Sequence, residues 1–120
     1  MPYVDGFVVP VPRAKIDAYR KMAQDAGKIW REHGALQFRE CVAEDVKPGQ
    51  LTSFPQAVDL QDGEVVFFSW IVYESRAARD TINDKVMKDP RMADMMKPDA
   101  DVPFDVKRMI YGGFDVLVDL

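Results

Sequence analysis

Residues 64–74, EVVFFSWIVYE, constrain the fold of this chain more than any other segment. Apolar residues occupy both alternating sets of positions, so an extended strand here would be apolar on both of its faces. A strand of that kind is buried on both sides and belongs near the centre of a sheet. Residues 3–9, YVDGFVV, show the same two-sided pattern, and Pro10 and Pro12 predict the end of this strand because proline cannot donate to a ladder.

Two segments have the spacing of an amphipathic helix. Residues 13–33 place apolar side chains every three or four positions, and Gly34 is a suitable left-handed stop. Residues 76–88 form the second predicted helix, with the Ser75 side chain as its N-cap. A short methionine-rich turn of helix is predicted over 91–97.

The two remaining predicted strands are weaker. Residues 35–43 have Leu36, Phe38 and Val42 on one face and Gln37, Arg39 and Cys41 on the other. Residues 105–119 are the last predicted strand, in which the Gly112–Gly113 pair predicts a bulge or bend. Residues 44–63 are a long proline- and glycine-containing loop with apolar residues, of the kind that serves as a lid or an interface arm.

This order of elements is β-α-β-β-α-β, the ferredoxin-like arrangement of one α+β domain over residues 1–120. It predicts a four-stranded antiparallel sheet with two helices on one face and with the first and third strands at its centre. The other face still carries large apolar side chains. We therefore expect a homodimer in which two sheets stack into a dimeric α/β barrel. The alternative is that the loop 44–63 folds over this face.

Charge and composition exclude several classes of function. The 120 residues include 16 basic and 20 acidic side chains, a net charge of −4, which disfavours nucleic-acid binding. No apolar run reaches the length of roughly 18 residues that a membrane span needs. The N-terminus lacks a basic secretory region and Cys41 is the only cysteine, so we expect a cytoplasmic protein. The spacings typical of zinc sites, phosphate loops and dinucleotide-binding loops are absent, and we expect no cofactor.

Five segments together resemble the YbaA-like family of small bacterial proteins, a domain of unknown function. They are WREHGA at 30–35, EC at 40–41, TSFPQAV at 52–58, FSW at 68–70 and KRMIYGGF at 107–114. The resemblance extends over essentially the whole chain and implies membership of the dimeric α/β-barrel superfamily. That superfamily includes cofactor-independent monooxygenases, haem-degrading enzymes, isomerases and ligand-sensing domains, whose sites typically lie between the sheet and the helices. The resemblance implies a fold and a place for a site, but no particular reaction.

The candidate acid–base and anion-binding residues are few. His33, the only histidine, is either a general acid or base at the mouth of the cleft or a helix C-terminal residue near the last carbonyls. Arg39 and Glu40 lie on opposite faces of one strand, so one of them points to a covered face. Arg39 is either an anion holder or, on an edge strand, extends its guanidinium to solvent. Asp5 is either a base with a raised pKa or half of an ion pair with Arg39 or Arg108.

Aromatic residues are the predicted wall of a ligand pocket. Trp30, Trp70 and Tyr111, together with Tyr3, could bind a flat ligand, although such residues more often belong to the core. Cys41 lies two positions from a cation, but a buried inert thiol is the simpler interpretation.

The sequence thus predicts a homodimer that binds a small organic ligand in the cleft between sheet and helices. Its chemistry would be cofactor-independent and oxygenase-like or isomerase-like. The alternative is a non-catalytic structural or accessory module whose apolar face serves assembly.

Overall fold

A computed structural model describes residues 1–98 and 100–120 and contains one four-stranded antiparallel sheet. The strand order is β2-β3-β1-β4. The strands are β1 (Tyr3–Pro12), β2 (Gln37–Val42), β3 (Glu64–Tyr73) and β4 (Ile110–Asp115). The two strands with apolar residues on both faces, β1 and β3, occupy the centre, as their sequences predict.

The helices follow the predicted order. They are α1 (Ile16–Glu32), α2 (Phe54–Ala57), α3 (Arg76–Lys88) and α4 (Pro90–Met95), with 3₁₀ turns at Arg13–Lys15 and Val106–Arg108. The Ser75 hydroxyl accepts from the Ala78 N–H at 3.0 Å and caps α3 as expected. No helix among the described residues is long and apolar enough to cross a membrane.

The expected end of β1 at Pro10 is wrong, because the strand continues to Pro12. Its first half, residues 3–8, lies between β3 and β4, whereas its second half pairs with β3 alone. A proline is tolerated where a strand has a sheet neighbour on one side only, since its missing N–H then removes no ladder bond.

The last strand is shorter than the predicted 105–119, and it contains no bulge. Residues 106–108 form a 3₁₀ turn, and β4 pairs with β1 in continuous register, with Gly6 opposite Gly112 and Asp5 opposite Gly113. Gly113 is required by packing instead. A Cβ there would meet the Tyr3 hydroxyl and would lie 2.8 Å from two atoms of the Tyr3 ring.

The helices cover one face of the sheet, and the core lies between them. One cluster of buried residues includes Tyr3, Ile71, Tyr73, Ile82 and Val86, and a second is built around Val9, Val11, Tyr19 and Phe67. The strand residues of both clusters occupy odd positions of β1 and β3. The even positions therefore form the uncovered face, which we call the open face.

The open face keeps large exposed side chains. Phe68, Ile110 and Phe114 are 43%, 44% and 62% exposed. The loop 44–63 reaches this face at Phe54, whose ring packs edge-on against Phe68 with centroids 5.7 Å apart. This contact does not remove Phe68 from solvent, so the loop covers the open face only in part.

Substituting Gly113 by alanine is expected to destabilise the fold by about 1–3 kcal/mol, because the new methyl group overlaps the buried Tyr3 ring. Gly112→Ala is the matched control, since a Cβ there meets nothing closer than 3.6 Å. Urea unfolding of the two variants measures the difference. Equal stability of the two variants would contradict the packing of β4 on Tyr3.

Candidate functional site

A cleft lies between α1, α3 and the covered face of the sheet. Its cavity has a volume of about 460 Å³. The walls are mainly apolar and include Phe7, Met22, Ala26, Ile71, Phe104 and Met109. A second cavity of about 580 Å³ lies along the outer side of α1, and both cavities are lined by Tyr19, Ala23, Phe38 and Glu40. These four residues form the boundary between the two cavities.

Asp5 lies in the wall of the cleft, on the central strand β1, and is 7% exposed. Its carboxylate accepts from Arg79 Nη1 at 2.8 Å and from the Tyr73 hydroxyl at 3.1 Å. The prediction of Arg39 or Arg108 as its partner is wrong. Arg79 takes this place because the first turns of α3 pack over the covered face, where Asp5 points.

Arg108 and Arg79 have separate roles. Arg108 pairs with Glu64 at 2.9 Å and donates to the Asp59 carbonyl at 3.0 Å, which attaches the long loop to the start of β3. The Arg79 guanidinium lies 4.9 Å from the centroid of the Tyr3 ring. Burial raises the pKa of Tyr73, and the neighbouring Asp5 carboxylate raises it further, so this phenol stays protonated as a donor.

Asn83, on α3, fixes Trp30 in the cleft. The Trp30 indole N–H donates to Asn83 Oδ1 at 3.1 Å, and the Tyr73 hydroxyl lies 3.4 Å from the same oxygen. The indole N–H is a donor only, so the amide oxygen must face it. Trp30 also packs against Phe38, with ring centroids 6.2 Å apart. One predicted wall residue is therefore held in place from two sides.

Glu40, not Arg39, points to the covered face. Its Oε2 accepts from the Tyr19 hydroxyl at 2.8 Å, and Ser69 lies opposite it in the register of β2 and β3. Neither neighbour is charged, and no ion pair of Glu40 occurs within residues 1–98 and 100–120. Burial raises the pKa of the Glu40 carboxyl above its usual value. The same burial, together with Glu40, raises the pKa of Tyr19.

Arg39 lies exposed on the open face, opposite Trp70 in the register of β2 and β3. The Trp70 indole N–H donates to Gln37 Oε1 at 2.6 Å on the same face. Cys41 shares this face and is half-buried. The predicted grouping of Arg39 with Trp30 is therefore wrong, because strand alternation sends the Arg39 side chain to the other side of the sheet. Trp70 does line the cleft with Trp30, while its indole N–H lies on the open face.

His33 lies outside the cleft, at the C-terminal cap of α1. Its Nε2 is 2.9 Å from Asp89 Oδ2, and Asp89 also binds Arg91 at 2.8 Å. The Arg91 guanidinium, with His33 beside it, holds the pKa of Asp89 well below its usual range. This geometry joins α1 to α4 and favours the structural interpretation of His33 over the acid–base one.

Tyr111 lies at the rim of the cleft. Its ring stacks on Phe7 with centroids 6.3 Å apart and is largely exposed. The structure thus brings Asp5, Trp30, Trp70 and Tyr111 to the wall of one cleft, although the Trp70 indole bonds Gln37 on the open face. His33 and Arg39 do not line this cleft. Sequence reasoning missed Asn83, which has no signal in the helix pattern. Glu40 did leave a signal, as the one polar residue in the alternating set with Phe38.

No group of three or more histidine, cysteine or acidic side chains that could hold a metal ion is present in the described part of the chain.

The strand order, the one-sided helices and the cleft together define an α+β protein of the ferredoxin-like type. A solved structure described as a dimeric ferredoxin-like protein from an uncultured marine organism matches this chain with a TM-score of 0.52. The two sequences are 14% identical, and the match covers 100% of both chains. At that identity, the likeness concerns the fold alone.

The chain belongs to the DUF1428 family of proteins of unknown function, whose family model matches residues 2–106. It is 51% identical over 119 residues to the uncharacterized protein YbaA of Escherichia coli K12, covering 99% of each chain. The YbaA protein of Shigella flexneri matches with the same identity and coverage. The predicted resemblance to YbaA-like proteins is therefore confirmed.

Replacing Asp5 by alanine is expected to cost about 3 kcal/mol, since it leaves the Arg79 guanidinium without its buried partner. Asp17→Ala is the matched control, because the Asp17–Arg20 pair is exposed and is expected to contribute less than about 1 kcal/mol. Both values come from urea unfolding at neutral pH. A similar small cost for the two variants would show that the Asp5 pair does not support the cleft.

Proposed function

We propose that the protein binds a small, mainly apolar organic ligand in the cleft between α1, α3 and the sheet. The observation that carries this proposal is the cavity of about 460 Å³ with apolar walls and a few fixed polar groups. Ligand sites are usually concave, apolar and of roughly 300–1,000 Å³, with a small number of polar groups that orient the ligand.

The charges in the cleft favour a ligand without a strong charge of its own. Asp5 and Arg79 neutralise each other at 2.8 Å, so neither offers a free charge to a ligand. Glu40 is the remaining carboxylate, and its neighbours are hydroxyl groups. An apolar body with one or two hydrogen-bonding atoms fits such a site better than an acid or a phosphate ester.

The reaction class that suits these residues needs no tightly bound cofactor. Proton transfer of the isomerase type requires an acid–base group and a dry pocket, and an oxygenase-like reaction on an easily deprotonated ligand begins in the same way. The alternative function, a non-catalytic dimeric module, is favoured by the exposed apolar residues of the open face.

The open face also supports a homodimer in which two sheets pack face to face as a dimeric α/β barrel. Exposed apolar patches of this kind mark interaction surfaces. Two copies related by a two-fold axis would bury the same residues on each chain, among them Phe68 and Phe114. The ferredoxin-like neighbour of known structure is described as dimeric. With one unpaired cysteine, Cys41, we assign the protein to the reducing cytoplasm.

Filling the cleft is expected to abolish ligand binding. Ala26, on α1, lines the cavity, and Ala26→Trp would occupy it with an indole ring. Ala18→Trp adds the same ring to the exposed side of the same helix. Indole is a suitable small aromatic probe, with binding measured by saturation-transfer NMR. We expect wild type and Ala18→Trp to bind it and Ala26→Trp to lose binding at least tenfold.

Melting temperatures show whether the filled variant is folded, and Ala26→Leu provides a smaller replacement if it is not. Equal indole binding by Ala26→Trp and wild type would refute the cleft as the binding site.

Light scattering on a sizing column is expected to give about twice the 13.7 kDa chain mass at micromolar concentration. Phe68→Glu places a carboxylate in the open face and is expected to give a monomer, as is Phe114→Glu at the more exposed position. Met96→Glu is the control, because Met96 is exposed beside the helices. A monomeric wild type, or a dimer unaffected by both open-face variants, would rule out this assembly.

A further inference from the structure

Two polar groups in the cleft are incompletely partnered: one is a carboxylate without a cation, and the other is an amide nitrogen without an acceptor. Among the described residues, the Glu40 carboxylate accepts from the neutral Tyr19 hydroxyl and lies opposite Ser69 in the sheet, without a cationic partner. Asn83 uses its oxygen for the Trp30 N–H, so its amide nitrogen keeps both donors. No bond from that nitrogen occurs among the described residues, it is not a buried atom, and Asn83 lines the cavity. The cleft therefore offers one acceptor and one donor to a ligand.

We propose that Glu40 is the catalytic base of the cleft and that the substrate is an apolar carbonyl compound with an acidic C–H next to its carbonyl group. This inference rests on the proposed function and names its substrate class. Asn83 Nδ2 donates to the carbonyl oxygen, and Glu40 takes the proton from the adjacent carbon.

The step is a balanced proton transfer. The Glu40 carboxylate accepts the proton, and the electrons of the broken C–H bond form the carbon–carbon double bond of an enolate. The negative charge comes to rest on the carbonyl oxygen, where the Asn83 amide donates. The Glu40 carboxylic acid then returns the proton to the same carbon or to a conjugated one. Nothing is oxidised or reduced, and no co-reactant is required.

The surroundings of Glu40 favour this role. A cation beside a carboxylate would stabilise its charged form and weaken it as a base, whereas Glu40 accepts from the Tyr19 hydroxyl and pairs with no cation among the described residues. Burial raises its pKa toward the range in which a carboxylate accepts protons effectively. The raised pKa of Tyr19 keeps that phenol protonated, so Tyr19 holds the carboxylate by donation and acts as a positioning residue.

A carboxylate without a cationic partner is costly inside a protein. Asp5 lies in the same cleft but is paired with Arg79 and bonded to Tyr73, which leaves it a structural group. Of the two carboxylates that line the cavity, only Asp5 has an ion pair that explains its burial, and the burial of Glu40 has no such explanation within the described residues. Its position at the boundary of both cavities exposes it to a ligand in either of them.

The test is hydrogen–deuterium exchange at carbon in 2-indanone, a neutral aromatic ketone, followed by proton NMR in D2O. We expect wild type to catalyse loss of the signal next to the carbonyl with saturation kinetics. Glu40→Gln is expected to slow this exchange by about 100-fold or more, since general bases contribute 10²–10⁴-fold. Glu44→Gln, an exposed glutamate just beyond β2, is the matched control and should keep the wild-type rate.

The amide of Glu40→Gln still accepts from Tyr19 and removes a charge from the interior, so this variant should melt at or above the wild-type temperature. Saturation-transfer NMR on the same samples measures binding of 2-indanone, which we expect to be unchanged by Glu40→Gln. Asn83→Asp keeps an oxygen for the Trp30 N–H but lacks the amide donor, and it should lower kcat with less effect on binding.

Three results would overturn the inference: wild type binds 2-indanone without accelerating exchange, Glu40→Gln exchanges at the wild-type rate, or 2-indanone does not bind to wild type. Indole binding distinguishes each of these results from failure of the proposed ligand-binding function. If indole binds in the cleft and is lost in Ala26→Trp while no exchange occurs, the cleft is a ligand site and Glu40 is not its base.

Discussion

The ion pair between Asp5 and Arg79 is the interaction on which the cleft depends. Asp5 lies on the central strand β1 and Arg79 on α3, so the 2.8 Å contact ties this helix to the middle of the sheet. The Tyr73 hydroxyl satisfies a second oxygen of Asp5, and the Tyr3 ring supports the guanidinium. Because these charges are paired with each other, the apolar cavity above them contains no free charge from this pair, and its walls can accept an apolar ligand.

Strand alternation separates the two surfaces of the molecule. Odd positions of β1 and β3 face the helices and form the core and the cleft, whereas even positions form the open face. The two surfaces have different chemistry: within the described residues, the cleft holds a carboxylate without a cationic partner, and the open face carries exposed aromatic rings. One sheet can therefore support ligand binding and self-association without competition between them. The two proposals for this protein follow from that separation.

The fold could be predicted from the sequence because its strongest signals are local. Two-sided apolar strands belong at the centre, and the structure has β1 and β3 there. The site was predicted less well, because it depends on which face a residue occupies. Arg39 and Glu40 are adjacent, and only the packing of Phe38 under α1 decides that Glu40 is inside. The partner of Asp5 is 74 residues away in the chain, and no local pattern indicates a pair at that separation. Glycine is required at position 113 because a side chain there would overlap Tyr3, and not because the strand turns or bulges.

The central claim, that the cleft and not the open face receives the ligand, can be tested with the two tryptophans. The Trp30 indole N–H lies in the cleft on Asn83, and the Trp70 indole N–H lies on the open face on Gln37. A nitrogen–proton correlation spectrum of the ¹⁵N-labelled protein gives one indole signal for each, and 2-indanone can be titrated into the sample. This account predicts that the Trp30 signal moves progressively to saturation while the Trp70 signal stays in place. Movement of the Trp70 signal alone, or of neither signal, would contradict it.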